Sequence, residues 1–520
     1  MFVEHCWRPR VGSKYQLDLC WIASGLTSTF NAFWGKAAMS EAMISVSPID
    51  GEVLWQGAIA GESEVAQCMG SAATALGAWR SKSIDERLAI VRRFGAELIA
   101  RRTEVSTLIS REVGKLAWDA DGEVAAAIAK VEMSIQAREQ RASDVQIEAS
   151  HPSGITIQRK IRYQPVGIAL VLGPFNFPLH LPGGQIIPAL LAGNAVVFKP
   201  SEQAMAVAQW MVDAWYRAGL PRGVLQLLPG ATQTAKLAID APEVSAVFLT
   251  GGRAAGNAIH RQLAGRPEVL LALELGGNNP IVTMDSVDPE VAANLVSFSA
   301  FVSAGQRCTC ARRALFLKSA AAQNQIDALV NQARGLRSGV PFSSPVPQVG
   351  PLVSETAASV VSQVYERLIG LGCKALLSPV VSQSCSSLIG PAIVDATGLP
   401  SDAVREMNEM EWFGPLLVVQ QVDDFETALA AAAHTPYGLS AALLGGTEKM
   451  FEQFVDCVGA GVVNWNSPTT GAAGALPFGG LGASGNHRPA GFFAIDFCCD
   501  PIASLEQAVP VMADPWSVAK

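Results

Sequence analysis

An α/β fold built on parallel sheets is what the sequence predicts. Three observations carry that expectation. Short apolar, β-rich runs recur between segments of helical spacing; 520 residues are enough for about three domains; and 49% hydrophobic against 16% charged residues is the balance of a chain that buries cores.

The regular pattern opens at the turn Ser47-Pro48-Ile49-Asp50-Gly51. Apolar residues at helical spacing then predict helices over 62–80, 84–113 and 117–139. The second carries Asp85 and Glu86 in its first turn and Gly114 past its end, where charge and a C-terminal glycine belong. Ile155 to Ile161 alternates as a strand. Runs over 166–172, 195–198, 224–228, 246–250 and 269–273, separated by helical segments, predict a parallel sheet. A helix over 288–304, a strand over 314–317 and helices over 320–335 and 353–371 predict a second α/β lobe, with 338–348 as a surface connection.

Composition excludes several function classes. The net charge is −8, so no global positive field draws in a phosphate backbone, and nucleic acid is not an expected partner. Ten cysteines include a single C-x-C pair, Cys308 and Cys310, without the clustered histidines or second pair of a zinc site; no metal and a reducing cytoplasm are expected. No uncharged apolar run reaches the ~18 residues of a membrane span. The stretch 19–34 follows Arg8, Arg10 and Lys14 but contains Ser, Thr and Asn and lacks a small-x-small cleavage site, so it reads as an extension and not as an export signal.

Five segments concentrate chemistry. In Ser303-Ala304-Gly305-Gln306-Arg307-Cys308, Arg307 supplies positive potential that would favour a thiolate, and Gly305 would let a substrate approach the backbone; taken alone, Cys308 reads better as a buried structural thiol. In Leu273-Glu274-Leu275-Gly276-Gly277-Asn278-Asn279, a carboxylate at a strand end is either a base raised by burial or a structural acceptor for the glycine-turn amides. Asn176, between prolines in Gly173-Pro174-Phe175-Asn176-Phe177-Pro178, either donates to an oxyanion or bonds its own turn. Lys199 and Glu202 end a strand, and Thr250-Gly251-Gly252-Arg253-Ala254-Ala255-Gly256 joins a strand to a helix. Bare amides and a helix dipole there suit a pyrophosphate, although the segment is not G-x-G-x-x-G.

Taken together and in this order, with Glu411-Trp412-Phe413-Gly414-Pro415 and Pro477-Phe478-Gly479-Gly480 following, these segments resemble the aldehyde dehydrogenase superfamily over about 45–505. The resemblance implies a Rossmann-like cofactor domain (45–143 and 165–273), a catalytic domain (274–489) and a β-flap (144–164 and 490–508) that pairs subunits into a homodimer or homotetramer. Residues 1–44 are left as an extension in which the family's opening β-structure is not recognisable.

The resemblance further implies Cys308 as nucleophile, Asn176 as oxyanion donor and Glu274 as activator of the hydrolytic water. Lys199 and Glu411 would hold ribose hydroxyls, Phe413 would pack near the nicotinamide, and Gly251, Gly252 and Gly256 would line the pyrophosphate. Glu202 beside the adenosine ribose favours NAD over NADP. Glu274 favours hydrolysis over acyl transfer to CoA, and retention of Cys308, Glu274, Asn176 and Lys199 argues against an inactive binding relative. Segments such as His180-Leu181-Pro182 and Gly482-Ala483-Ser484-Gly485-Asn486-His487-Arg488-Pro489 resemble a subfamily that oxidises a polycarboxylate semialdehyde of arginine breakdown, whereas Leu179, Gly183 and Gln185 depart from its pattern. Arg307, His487 and Arg488 are the candidate partners for substrate carboxylates. Arg307 could instead pair internally with an acid.

Overall fold

The computed structural model describes residues 42–150 and 156–510. The chain opens on a hairpin, β1 (Ala42–Val46) antiparallel to β2 (Val53–Ala58). This corrects the expectation that no opening β-structure precedes Val46: the buried Met43 and Ser45 alternate with exposed neighbours. The 19–34 stretch lies outside the described residues.

Helices α1 (Glu62–Arg80), α2 (Ile84–Ala100), α3 (Arg102–Val113) and α4 (Ala117–Arg141) follow. Ser83 and Glu86 cap each other's backbone at the start of α2. The helix expected over 84–113 is in fact two. Arg101 leaves helical geometry at φ −117°, ψ 25°, ending α2 and starting α3, with no proline or glycine to announce the break. Strands β3 (Val145–Ser150) and β4 (Thr156–Pro165) pair antiparallel.

Then come β5 (Ile168–Leu172), α5 (His180–Ala192), β6 (Ala195–Lys199), α6 (Met205–Arg217), β7 (Leu225–Leu227), α7 (Thr232–Asp240), β8 (Val244–Gly251), α8 (Arg253–Gln262) and β9 (Leu270–Leu275). The five strands form one parallel sheet in the order β7-β6-β5-β8-β9. β5 and β6 are buried on both faces, as apolar runs without alternation require. The chain winds outward from β5 through β6 to β7, then returns to the other side of β5 for β8 and β9. That reversal leaves a crevice outside the carboxyl ends of β5 and β8.

The second lobe is a seven-stranded sheet whose centre pairs β10 (Asn279–Thr283) with β11 (Ala311–Leu317) in parallel, joined through α9 (Pro289–Phe301). α9 is shorter than the 288–304 expected, because Ser303 and Ala304 take left-handed φ of 54° and 53°. The terminal strand Cys499–Glu506 pairs with β4, making a three-stranded antiparallel sheet with β3. Among the described residues no helix is long and apolar enough to cross a membrane, and eight cysteines are free thiols.

Candidate active site

The crevice predicted by the strand reversal is a cavity of ≈ 770 Å³. Its floor is made by strand ends: Leu172 of β5, Lys199 of β6, Leu249 to Gly251 of β8, and Glu274 and Leu275 of β9. Asn176, Glu202, Gly252, Arg307, Cys308, Glu411 and Phe413 also line it, so most of the candidates converge. Gly256 lies beneath the wall, where an added Cβ would stand 2.7 Å from Leu275 Cδ1; glycine there lets α8 pack on β9.

Cys308 follows the two left-handed residues, and a clamp from α4 holds that turn. Arg307 pairs with Asp119 at 2.7 Å and its Nε donates to Ser303 Oγ at 2.8 Å, while Ser303 donates to the same aspartate. Asn279 donates to the carbonyls of both Cys308 and Cys310, at 2.7 and 2.8 Å. Arg312, fully buried, donates to Gly305 O at 2.8 Å. Gly305 is needed for a reason other than substrate approach: at φ 73° its Cβ would lie 2.2 Å from the Gly414 carbonyl oxygen.

Arg307 is therefore not the cation beside the thiol. Its guanidinium turns to Asp119, and Arg312 is the cation that lowers the Cys308 pKa. Burial wins over it, helped by Glu274, Cys310 and Glu411, and pushes the thiol up to about 12. The resting sulfur is a thiol.

Asn176 does not bond its own turn. Its Nδ2 donates across the sequence to Gln306 O at 2.9 Å, two residues before Cys308, leaving a second N–H on the amide. Its carbonyl accepts from Lys115 Nζ at 2.7 Å. Lys115 pairs with Glu123 at 2.6 Å, and Glu123 accepts from the backbone N–H groups of Leu179 and His180. A buried ion pair thus fixes the whole Asn176 turn.

Glu274 is not an acceptor for the glycine turn either. The Gly277 N–H donates to Glu411 instead, at 3.1 Å, and Glu274 Oε1 has no partner. Burial raises its pKa well above the ordinary carboxylate range. Glycine at 479 accommodates it: a Cβ there would sit 2.2 Å from Glu274 Oε1.

On the sheet side, buried Lys199 donates to the carbonyls of Pro200 and Gly230, at 2.7 and 2.6 Å, and lies 3.9 Å from Glu202. Glu411 is packed so closely on Gly276 that a Cβ there would lie 1.4 Å from its Oε1. Phe413 stands edge-on to Phe175 at 5.9 Å. α8 begins after Gly252 without a side-chain cap, and a Cβ at Gly252 would meet only open space, so its first-turn amides face the cavity. These residues fit a dinucleotide: an anion-binding helix start, a lysine and two carboxylates for hydroxyls, and an aromatic beside the thiol end.

His487 and Arg488 are exposed and do not line the cavity. Both adopt left-handed φ, 59° and 54°, in a turn packed so closely on Gly479 that a Cβ there would lie 2.5 Å from Arg488 Cα. The structure does not bring these two candidates together with the others at the cavity wall. What sequence reasoning missed is α4: Asp119, Glu123 and Lys130 are all buried and recur at helical spacing with Ala120 and Ala127. Charges in phase with a buried alanine stripe were the available signal.

The sequence pattern described as "Aldehyde dehydrogenase family" matches residues 34–501. The chain is 42% identical over 492 residues to the N-succinylglutamate 5-semialdehyde dehydrogenase of Erwinia tasmaniensis, covering 95% of this chain and 98% of that one. The Thermus 1-pyrroline-5-carboxylate dehydrogenase with bound NAD superposes with a TM-score of 0.83 at 26% identity, covering 90% of each chain. A glyceraldehyde-3-phosphate dehydrogenase of Methanocaldococcus jannaschii complexed with NADP gives 0.81 at 25% identity, covering 91% of this chain and 100% of that one.

Proposed function

The chain belongs to the aldehyde dehydrogenase family, and from that premise we propose that it oxidises N-succinylglutamate 5-semialdehyde to N-succinylglutamate with NAD and water. The observation that carries the reading is a single cavity bringing together Cys308, Asn176, a partnerless Glu274 and the dinucleotide-fitting strand ends.

Cys308 releases its thiol proton to water in the cavity and adds its sulfur to the aldehyde carbon, and the oxygen that gains charge accepts from the Asn176 amide and the Cys308 N–H. A preorganised donor of this kind contributes roughly 3–4 kcal/mol to the transition state. Lys199, Glu202 and Glu411 would hold ribose hydroxyls, the Gly251–Gly252 amides the phosphates, and Phe413 the nicotinamide face; bound there, NAD supplies the hydride acceptor. Loss of hydride from the thiohemiacetal leaves a thioester on Cys308. Glu274 Oε1, unpartnered and raised in pKa, then takes a proton from water as it attacks the thioester. Glu202 favours NAD, because a carboxylate accepts from a 2′-hydroxyl and repels a 2′-phosphate.

The named semialdehyde carries two carboxylates and an amide besides its aldehyde; the third carboxylate appears only on oxidation. The three-stranded flap is assigned to subunit pairing in a homodimer or homotetramer, since Val145, Ile147, Ile161 and Leu505 share one exposed face of it. Free buried thiols suit a reducing cytoplasm.

The test is NADH formation by purified protein with N-succinylglutamate semialdehyde beside succinate semialdehyde, glutamate semialdehyde and butanal. The first should win, without CoA, and Cys308→Ala should lower turnover at least ~10³-fold while NAD binding persists. Preference for another aldehyde would overturn the substrate assignment. A strict need for CoA would overturn the hydrolytic route.

A further inference from the structure

The cavity wall formed by α4 and α5 holds one positive charge that no group among the described residues balances. Three cations stand at this end: Lys115, Lys130 and Arg307. Lys115 is neutralised by Glu123 and Arg307 by Asp119. Lys130 is buried, and its Nζ has a single hydrogen bond, to the Gly491 carbonyl at 3.1 Å. Burial alone depresses it, with no carboxylate acting in the other direction. An ammonium taken out of water without a counter-ion is costly unless a ligand supplies one.

The neighbouring side chains have polar atoms to spare. His180 opens α5, lines the cavity and has a buried Nδ1 with no partner. Burial holds its imidazole neutral, at a pKa of about 3, and the charges of Lys130 and Lys115 add to the effect. Gln185 is buried on the same helix, its Nε2 directed at Pro489 O at 3.5 Å and its Oε1 without a partner. Gly184 makes room between them: a Cβ there would lie 3.3 Å from Lys130 Cε.

We propose that Lys130 is the receptor for a substrate carboxylate remote from the aldehyde, with His180 and Gln185 completing the polar wall around it. This deepens, and rests on, the reading of the chain as a dehydrogenase of a carboxylated semialdehyde. It gives His487 and Arg488 no part, and it leaves Arg307 to hold the Cys308 turn. The carboxylate supplies the missing counter-ion, and an amide N–H in the substrate is the kind of donor that Gln185 Oε1 lacks.

The test is Lys130→Met, which keeps the stem and removes the charge, assayed on pairs of matched length: succinate semialdehyde against butanal, and N-succinylglutamate semialdehyde against nonanal. The ratio of kcat/KM, carboxylated over neutral, should fall at least ~30-fold, mostly through KM, since a charge-assisted contact is lost from substrate binding. Lys130→Gln should lower it comparably, and Gln185→Leu should lower only the ratio for the amide-bearing pair, about three- to tenfold. A parallel readout needs no turnover: N-succinylglutamate should slow alkylation of Cys308 by iodoacetamide in the wild type and protect the Lys130 variants much less. Unchanged ratios and unchanged protection would overturn the proposal. If the wild type prefers another aldehyde, the substrate assignment falls, while the succinate semialdehyde to butanal ratio and the protection experiment still decide the role of Lys130.

Discussion

The two sides of the cavity are made of different material. Against the parallel sheet, the surface is mostly backbone: strand ends, a glycine turn and the uncapped start of α8, with Lys199 tied to two carbonyls. Against α4 and α5 it is side chain, and two polar atoms there, His180 Nδ1 and Gln185 Oε1, are without partners among the described residues. The difference teaches that the sheet side is built for a ligand recognised through shape and amides, whereas the helix side is built for one recognised through charge. The first breaks when an atom is added, the second when a charge is removed.

The largest effect is expected where the two sides meet, at Glu274. Glu274→Gln should reduce steady-state turnover roughly 10²–10³-fold, within the span of general-base catalysis, yet release about one NADH per site in a first turnover, because the thioester still forms. The carboxyl's raised pKa also sets a sign. Wild-type kcat should climb with pH above the ordinary carboxylate range as Glu274 gives up its proton, and that limb should be missing in the variant. Loss of the first-turnover NADH would mean that Glu274 acts before hydrolysis.

Next in size is the sheet side. Gly276→Ala would drive a methyl into the Glu411 carboxylate, so NAD affinity, read by fluorescence titration, should fall by about an order of magnitude or more while the protein stays folded. Unchanged affinity would remove Glu411 from the cofactor contacts. Glu202→Gln is milder. It should raise the NADP to NAD ratio of kcat/KM about tenfold by removing repulsion alone, and an unmoved ratio would take Glu202 away from the ribose.

The same contrast explains what could be read in the sequence. The sheet side announced itself, because Gly251, Gly252, Lys199 and the Glu274 turn sit at ends of apolar strands, where local pattern and function coincide. The residues proposed as catalytic converge in one cavity for the same reason. The helix side did not, because Asp119, Glu123 and Lys130 are far in sequence from the groups they serve: Asp119 reaches Arg307 and Ser303, and Glu123 reaches Leu179 and His180. Arg307 misled because adjacency to Cys308 along the chain says nothing of where a long side chain turns. His487 and Arg488 misled because a left-handed turn carries them outward. The break at Arg101 had no local signature, and neither had the left-handed pair Ser303 and Ala304, whose turn is held by Asp119 from far along the chain.

The smallest expected effect is on stability, and it tests whether charge on the helix side is held at a cost. Burial lowers Lys130 from 10.5 to about 8, so between those values the unfolded chain carries a proton that the folded one has released. Stability therefore rises with pH across that window, and below about 8 the folded protein bears the full cost of the buried ammonium. Lys130→Met escapes it. The variant should be more stable than wild type at pH 7 by roughly 2 kcal/mol, with the gap closing as pH approaches 10.5. Denaturant melts of both proteins at pH 7, 8.5 and 10 would show this directly. A variant less stable at pH 7 would mean that Lys130 is paired within the fold, and the helix side would then be as self-satisfied as the sheet side. A more stable variant that also discriminates less between charged and neutral aldehydes would show the ammonium retained for binding against a folding cost, which the backbone amides of the sheet side do not incur.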